Sequence, residues 1–232
     1  MDKEILANLI YIVLLLAGIV YYYFSQNRKK KVTEKPDDAH IVQRNGDDFI
    51  ESLSKLGYFR YASPDKLKSL EEEVKICYQT HGVLGTLEEE WEPLCNRLFT
   101  ADDEFIFEEG GIIETLKNLK PAFETRGLKL NIDENFEEYQ QNVANQWIVI
   151  NGRKYVIYDN IDGSQANWGI ATERLVRLLN NELEQQGSEE RVYQISGGND
   201  SQIVFLTPQM FDFINSSDID SDWKPFKYKE VE

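Results

Sequence analysis

The sequence predicts an α+β fold: an antiparallel sheet built from hairpins with helices packed on it, preceded by one N-terminal transmembrane helix. Three observations carry this reading. Residues 5–24 run apolar except for Asn8. Two turn signatures, Asn151-Gly152 and Gly197-Gly198-Asn199-Asp200, each lie between β-prone runs. Several other segments repeat apolar residues at helical spacing, and that mixture of periods places helices on a hairpin-built sheet.

The first element is the apolar run. A hydrocarbon core about 30 Å thick takes roughly 20 helical residues to cross. A cleaved signal peptide fits poorly. The leading Met1-Asp2-Lys3-Glu4 lacks a cationic excess, and the run ends in Tyr21-Tyr22-Tyr23-Phe24 rather than a small-x-small site. Tyrosines at that end suit the membrane–water interface. Arg28-Lys29-Lys30-Lys31 follows at once, and cationic flanks stay cytoplasmic. The N-terminus is therefore expected outside and the C-terminal domain in the cytoplasm, as a single-pass protein of the inner plasma membrane. The boundaries read as an anchor over 1–26, a basic and polar juxtamembrane linker over 27–45, and an acidic α+β domain over 46–232.

Charge narrows the partners. Six of the 25 Lys/Arg and three of the 41 Asp/Glu fall in residues 1–35, so residues 36–232 carry −19. A field of that sign repels phosphate backbones and argues against nucleic acid, while it would steer a basic protein partner. Aromatic content of 12% and hydrophobic content of 41% are enough for a packed core. Cys77 and Cys95 lie far apart without metal-ligand spacing and read as free thiols of a reducing compartment.

Along the domain, Phe49, Ile50, Leu53 and Leu56 predict a helix stopped by Gly57. Ser63-Pro64 reads as an N-cap with proline at N1, opening a helix that carries Leu67, Leu70, Val74, Cys77 and Tyr78 and ends at His81-Gly82. Residues 97–100 and 105–108 read as short strands around a turn at Ala101–Glu104. Gly110-Gly111 leads into a helix with Ile112, Ile113, Leu116 and Leu119, which Pro121 is expected to break or kink. The alternating stretch 128–132 reads as a half-buried strand.

The second half is sharper. Asn151-Gly152 between residues 147–150 and 153–158 predicts a type I′ hairpin. A helix over about 168–186 carries Ala171, Leu175, Leu178, Leu179 and Leu183, with Gly187 as its stop. A second hairpin spans 191–206, and Thr207-Pro208 caps a final short helix.

Candidate chemistry is sparse. The two histidines, His40 and His81, leave a Ser-His-Asp or Cys-His mechanism only a helix-terminal histidine, and no HExxH, Walker A or nucleophile elbow occurs. Asp218-x-Asp220-x-Asp222 opens like a calcium loop, but Trp223 stands where the turn glycine belongs and Lys229 where the bidentate glutamate belongs. Gly110-Gly111 could offer amides to a phosphate, yet Glu108 and Glu109 beside it point to carboxylates on the helix dipole. Asn199-Asp200-Ser201 and Asn215-Ser216-Ser217 match the glycosylation sequon, incidental for a cytosolic domain. No catalytic residue, metal ligand or cofactor is assigned. One junction stands out as a candidate ligand or partner site: Asp159, Asp162, Asn167 and Trp168, where polar residues separate a strand from the long helix. The competing account of it is a turn and helix cap, with the indole covering the core.

Phe107-Glu108-Glu109-Gly110-Gly111, Ser188–Tyr193, and Gly197-Gly198-Asn199-Asp200 through Thr207 together resemble uncharacterised acidic bacterial α+β proteins over roughly Phe49–Phe226. That resemblance implies no activity and no site residue. The expectation is a membrane-anchored cytosolic protein-binding module with an acidic interaction surface, of which a toxin-neutralising immunity-type protein is one concrete form. It touches the lipid bilayer through residues 5–24. The alternatives are a small-molecule receptor or enzyme using the 159–168 junction, and a structural scaffold of a membrane complex.

Overall fold

The computed structural model describes residues 44–85, 95–140, 143–164 and 167–229. The span predicted over 5–24 lies outside the described residues, as does all of the linker but Arg44 and Asn45. Among the described residues, no helix is long and apolar enough to cross a membrane.

Helix α1 (Gly46–Lys55) starts where the Asn45 side chain accepts from the Asp48 N–H at 3.3 Å, and the chain leaves it through Gly57 at φ 81°, a left-handed turn that glycine adopts without strain. A 3₁₀ turn (Tyr58–Tyr61) follows, then α2 (Leu67–His81), closed by Gly82 at φ 66°. Strand β1 (Leu98–Thr100) leads to α3 (Asp103–Phe107) and α4 (Gly111–Thr125). Next come β2 (Ile132–Gln140), β3 (Val143–Ile150) and β4 (Arg153–Asp162), the long helix α5 (Trp168–Gln185), and the strands β5 (Arg191–Ile195) and β6 (Gln202–Leu206). Thr207 caps α6 (Pro208–Ser216) by accepting from the Met210 N–H, and β7 (Pro225–Phe226) is the last described element.

The fold class is α+β, but the strands form two antiparallel sheets. One is ordered β1-β6-β5-β7 and the other β2-β3-β4. Two apolar cores explain why. In the first, Ile112, Leu116 and Phe123 of α4 and Leu175, Leu179 and Leu183 of α5 pack against Ile148 and Ile150 of β3, and also against Val192, Ile203 and Phe205 of the four-stranded sheet. In the second, the opposite face of β5 and β6 (Tyr193, Ile195, Val204, Leu206) meets Phe49, Leu53, Leu70, Val74, Met210 and Ile214 of α1, α2 and α6. The four-stranded sheet is thus covered on both sides, so its strands read as continuous apolar runs. Among the described residues, the three-stranded sheet is covered by helices on one side only.

A buried ion cluster sits at the start of β1 and β5. Glu190 accepts from Arg97 at 2.8 Å through one oxygen and from Arg126 at 2.7 Å through the other. The Arg126 guanidinium also lies over the rings of Tyr61 (4.3 Å) and Phe205 (4.6 Å). Burial, the larger effect, lowers the Arg126 pKa against the opposing pull of Glu190.

Four local expectations need correction. Residues 105–108 are not a strand. Asp102 accepts from the Phe105 N–H at 3.0 Å and caps α3, which buries the consecutive Ile106 and Phe107 as a strand pleat would not. Pro121 does not end its helix: α4 runs on to Thr125 because Leu119, Ala122 and Phe123, on either side of the proline, are all core residues. The strand expected over 128–132 begins only at Ile132 and runs to Gln140; Leu128 and Leu130 are anchors on the connection from α4. Helix α2 starts at Leu67 rather than at Pro64, because Ser63 to Lys66 forms a separate turn in which Lys66 N–H donates to the Ser63 carbonyl.

Both hairpins and α5 match the expectation. Asn151 and Gly152 take φ values of 49° and 78°, the pair of positive angles that a type I′ turn demands. The turn is held down by Glu182, a fully buried carboxylate of α5 that accepts from Asn151 at 2.7 Å and from Arg153 at 3.2 Å.

Candidate functional site

The β2-β3-β4 sheet has one face on α4 and α5 and one on solvent, so apolar residues should alternate inward and polar ones outward. Ala144, Ile148 and Ile150 obey and are buried. One register breaks the rule on both faces at once. Glu137 of β2, Gln146 of β3 and Tyr158 of β4 are aligned across the three strands and share the inward face. Their neighbours Phe136, Trp147 and Val156 are aligned the same way on the outward face. A polar row therefore lies inside, and an apolar row outside.

The inward row is buried and incompletely bonded. Gln146 is 1% exposed and Tyr158 2%, and among the described residues neither the Gln146 Oε1 nor the Tyr158 hydroxyl has a hydrogen-bond partner. Buried polar atoms without partners are rare and call for an explanation. Two irregularities in β4 create the arrangement. Val156 pairs with Trp147 but Tyr158 with Gln146, leaving Ile157 as an extra residue whose carbonyl accepts from Arg174 of α5. Asn160, at φ 54°, donates its N–H to the Asn145 side chain at 2.7 Å. Such bulges re-aim side chains and recur beside functional sites.

Glu137 joins this row to the α3–α4 turn. Its Oε1 accepts from the Gly110 N–H at 2.9 Å and lies 3.3 Å from the Tyr139 hydroxyl, whose single proton is shared between this carboxylate and the nearer Phe107 carbonyl at 3.0 Å. The carboxylate on the Gly110 amide is thus Glu137, reaching from β2, rather than the adjacent Glu108 or Glu109. Two clefts flank this link. One of about 530 Å³ lies between α4 and β2, lined by Gly110, Glu114, Lys117, Asn135 and Glu137 among others. The second, of about 540 Å³, is lined by Glu104, Phe107, Glu108, Tyr139, Gly163 and Trp168 among others. The Tyr158 ring packs on Phe107, a lining residue of the second cleft, with centroids 5.0 Å apart. Burial first, then the charges of the Tyr139 and Glu137 side chains, pushes the Tyr158 hydroxyl well above the usual tyrosine range. Burial, then Glu137, does the same to Tyr139.

The outward row is exposed. Phe136 is 42% and Val156 57% exposed, with half-buried Trp147 between them. The Phe136 and Trp147 rings stack at 5.8 Å and 13°, and Lys154 Nζ lies 3.9 Å from the indole centroid on the same face. Glu134, Glu138 and Asp159 are carboxylates next to this row along their strands.

The predicted junction is divided between these surfaces. Asp162 and Asn167 engage each other: Asp162 Oδ1 accepts from the Ser164 N–H (2.9 Å) and from Asn167 Nδ2 (3.0 Å). Those bonds, the Ser164 one first, lower the Asp162 pKa. Asn167 occupies the N-cap position of α5 but makes no side-chain cap bond. Trp168 packs on the first core and lines the second cleft, whereas Asp159 is exposed on β4. The residues missed from sequence are Glu137, Gln146 and Tyr158 inside, and Phe136, Trp147 and Val156 outside. A signal for one was present: Gln146 has the same parity as Ile148 and Ile150 in a strand whose inward positions are otherwise apolar.

Among the described residues, no group of three or more His, Cys, Asp or Glu side chains is placed to hold a metal ion. Cys77 and Cys95 are buried free thiols, and burial, then Glu73, raises the Cys77 pKa. Comparison with protein-family models, with curated proteins and with solved structures gives no significant match in any of the three.

Proposed function

We propose that this chain is a protein-binding module. It presents the outer face of β2-β3-β4 to a basic partner and is anchored at the inner membrane by residues 5–24 with its domain in the cytoplasm. The observation that carries this reading is the row Phe136–Trp147–Val156, with its two rings stacked, which no helix among the described residues covers on a sheet that helices bury on its other face. Aromatic side chains gathered at the centre of a surface and rimmed by charge are the usual anchors of protein interfaces. The nearby carboxylates and the formal charge of −16 favour a partner rich in lysine and arginine. A toxin-neutralising immunity role is one form of this function, since neutralisation needs complementarity and no chemistry of its own.

The test is affinity capture of the full chain from native membranes beside a Phe136→Ser/Trp147→Ser double variant. The reading predicts a basic protein recovered by the parent chain and lost by the variant. Recovery of nothing above a charge-matched acidic control, or equal recovery by both chains, would refute it.

A further inference from the structure

We propose that the partner adds an extended basic segment to the edge of β2, as a fourth strand of the β2-β3-β4 sheet. This rests on the outer-face reading and names how that face is engaged. β2 is an edge strand of nine residues, and among the described residues its main chain bonds only to β3. In an antiparallel pair every second residue turns its N–H and C=O away from the neighbouring strand. The outer side of β2 therefore offers a run of unmet donors and acceptors, the template that strand addition uses. The other edges are guarded. β1 has three residues and β7 two, while β4 is broken by bulges and its Ile157 carbonyl is taken by Arg174.

Space and charge fit one kind of occupant. A strand added about 4.8 Å beyond β2 would turn alternate side chains to either face of the sheet. On the inward side they would enter the cleft of about 530 Å³ lined by Glu114, Lys117 and Asn118 of α4 and by Asn135 and Glu137 of β2. On the outward side they would stand beside Glu134, Phe136 and Glu138. From Ile132 to Gln140 the chain carries Asp133, Glu134, Glu137 and Glu138 and no Lys, Arg or Pro. A second copy of β2 would set carboxylate against carboxylate, which cross-strand pairing penalises, so the occupant is not another copy of this chain. The matching segment carries basic, apolar and basic residues in turn on one side. The apolar one lies beside Phe136, and Lys or Arg beside Glu134 and Glu138. That order reads the same in both directions, so it fits a parallel or an antiparallel strand.

The test titrates the full chain in lipid nanodiscs with the end-blocked peptide Thr-Lys-Thr-Val-Thr-Lys-Thr, read by calorimetry and by hydrogen exchange. The controls are a scrambled peptide, Thr-Thr-Lys-Lys-Val-Thr-Thr, and the first peptide N-methylated along its backbone, which keeps the side chains and removes the main-chain donors. The expected result is saturable binding with Kd of about 1 mM or tighter, and binding of both controls weaker by about tenfold or more. Exchange should slow across Ile132–Gln140 and not across Leu98–Thr100. Glu134→Lys/Glu138→Lys changes only the outward side of β2. This variant should bind the peptide about tenfold more weakly, and should instead take the counterpart with Glu in place of both Lys. Absence of saturable binding, equal binding of either control, or exchange unchanged across Ile132–Gln140 would overturn the proposal. The outer-face reading fails separately, on equal capture of a native partner by the Phe136→Ser/Trp147→Ser chain.

Discussion

Gln146 and Trp147 are consecutive residues of β3 that face opposite ways, the amide buried with an unpartnered oxygen and the indole half-exposed under the stacked ring of Phe136. Exchanging their types would give an ordinary half-buried strand. Each arrangement costs stability where it stands, through an unmet polar group on one side and apolar area left in water on the other. A sheet that carries both in one register is organised for something other than its own stability.

The inward half of that statement has a direct thermodynamic consequence. Tyr158→Phe removes a buried hydroxyl that bonds to nothing and leaves the ring on Phe107. The variant should be more stable than the parent by about 1 kcal/mol, the lower end of what an unsatisfied buried group costs. Urea unfolding at constant m-value measures it.

The buried ion cluster behaves in the opposite sense. Glu190 is 6% exposed and bridges Arg97 to Arg126. Glu190→Gln leaves two cations in the interior and should destabilise by about 3–5 kcal/mol, whereas an exposed surface pair such as Lys55–Glu51 is screened by water and contributes little. The midpoints of urea unfolding for Glu190→Gln and Glu51→Gln should therefore lie far apart.

A third consequence concerns Asp103. It is buried, accepting from Thr172 at 2.6 Å and from the Gly198 N–H at 2.8 Å, and so ties α3 to both α5 and the β5–β6 turn. Asp103→Ala orphans both donors and should cost about 2–3 kcal/mol, with faster hydrogen exchange at the Gly198 amide as the local signature.

Alkaline stability follows from the tyrosines. Burial, the first cause in each case, raises the hydroxyls of Tyr139, Tyr155, Tyr158 and Tyr228 above the ordinary value of 10.0. Their folded pKa values exceed the unfolded one, so this contribution is complete below pH 10 and is lost as pH rises above it toward the folded values. Absorbance at 295 nm should show these four silent near pH 10 and ionising together with the loss of circular dichroism.

How far the sequence reveals all this varies by element. The Asn151-Gly152 hairpin, α5 and the Thr207-Pro208 start are legible because local chemistry alone dictates them: two positive φ values, one apolar stripe, one cap. Residues 105–108 mislead because Phe105, Ile106 and Phe107 look β-prone while the cap that decides the matter, Asp102, sits three residues before Phe105. Strand β2 is hidden for a reason tied to the site. Its inward positions include Asn135 and Glu137 and its outward ones Phe136, so the alternation that announces a strand runs backwards. Trp168 lines the second cleft and packs on the first core, while the cross-strand row Glu137–Gln146–Tyr158 depends on β-bulges, which no local pattern in β4 announces.

Placing a photo-crosslinking residue at Val156, in the full chain and in native membranes, reads what contacts the outer face of β2-β3-β4. The expected result is an adduct with a lysine- and arginine-rich protein that disappears with Trp147→Ser and is absent when the probe sits at Glu184 on α5. Adducts equally abundant from Glu184, or unchanged by Trp147→Ser, would contradict it.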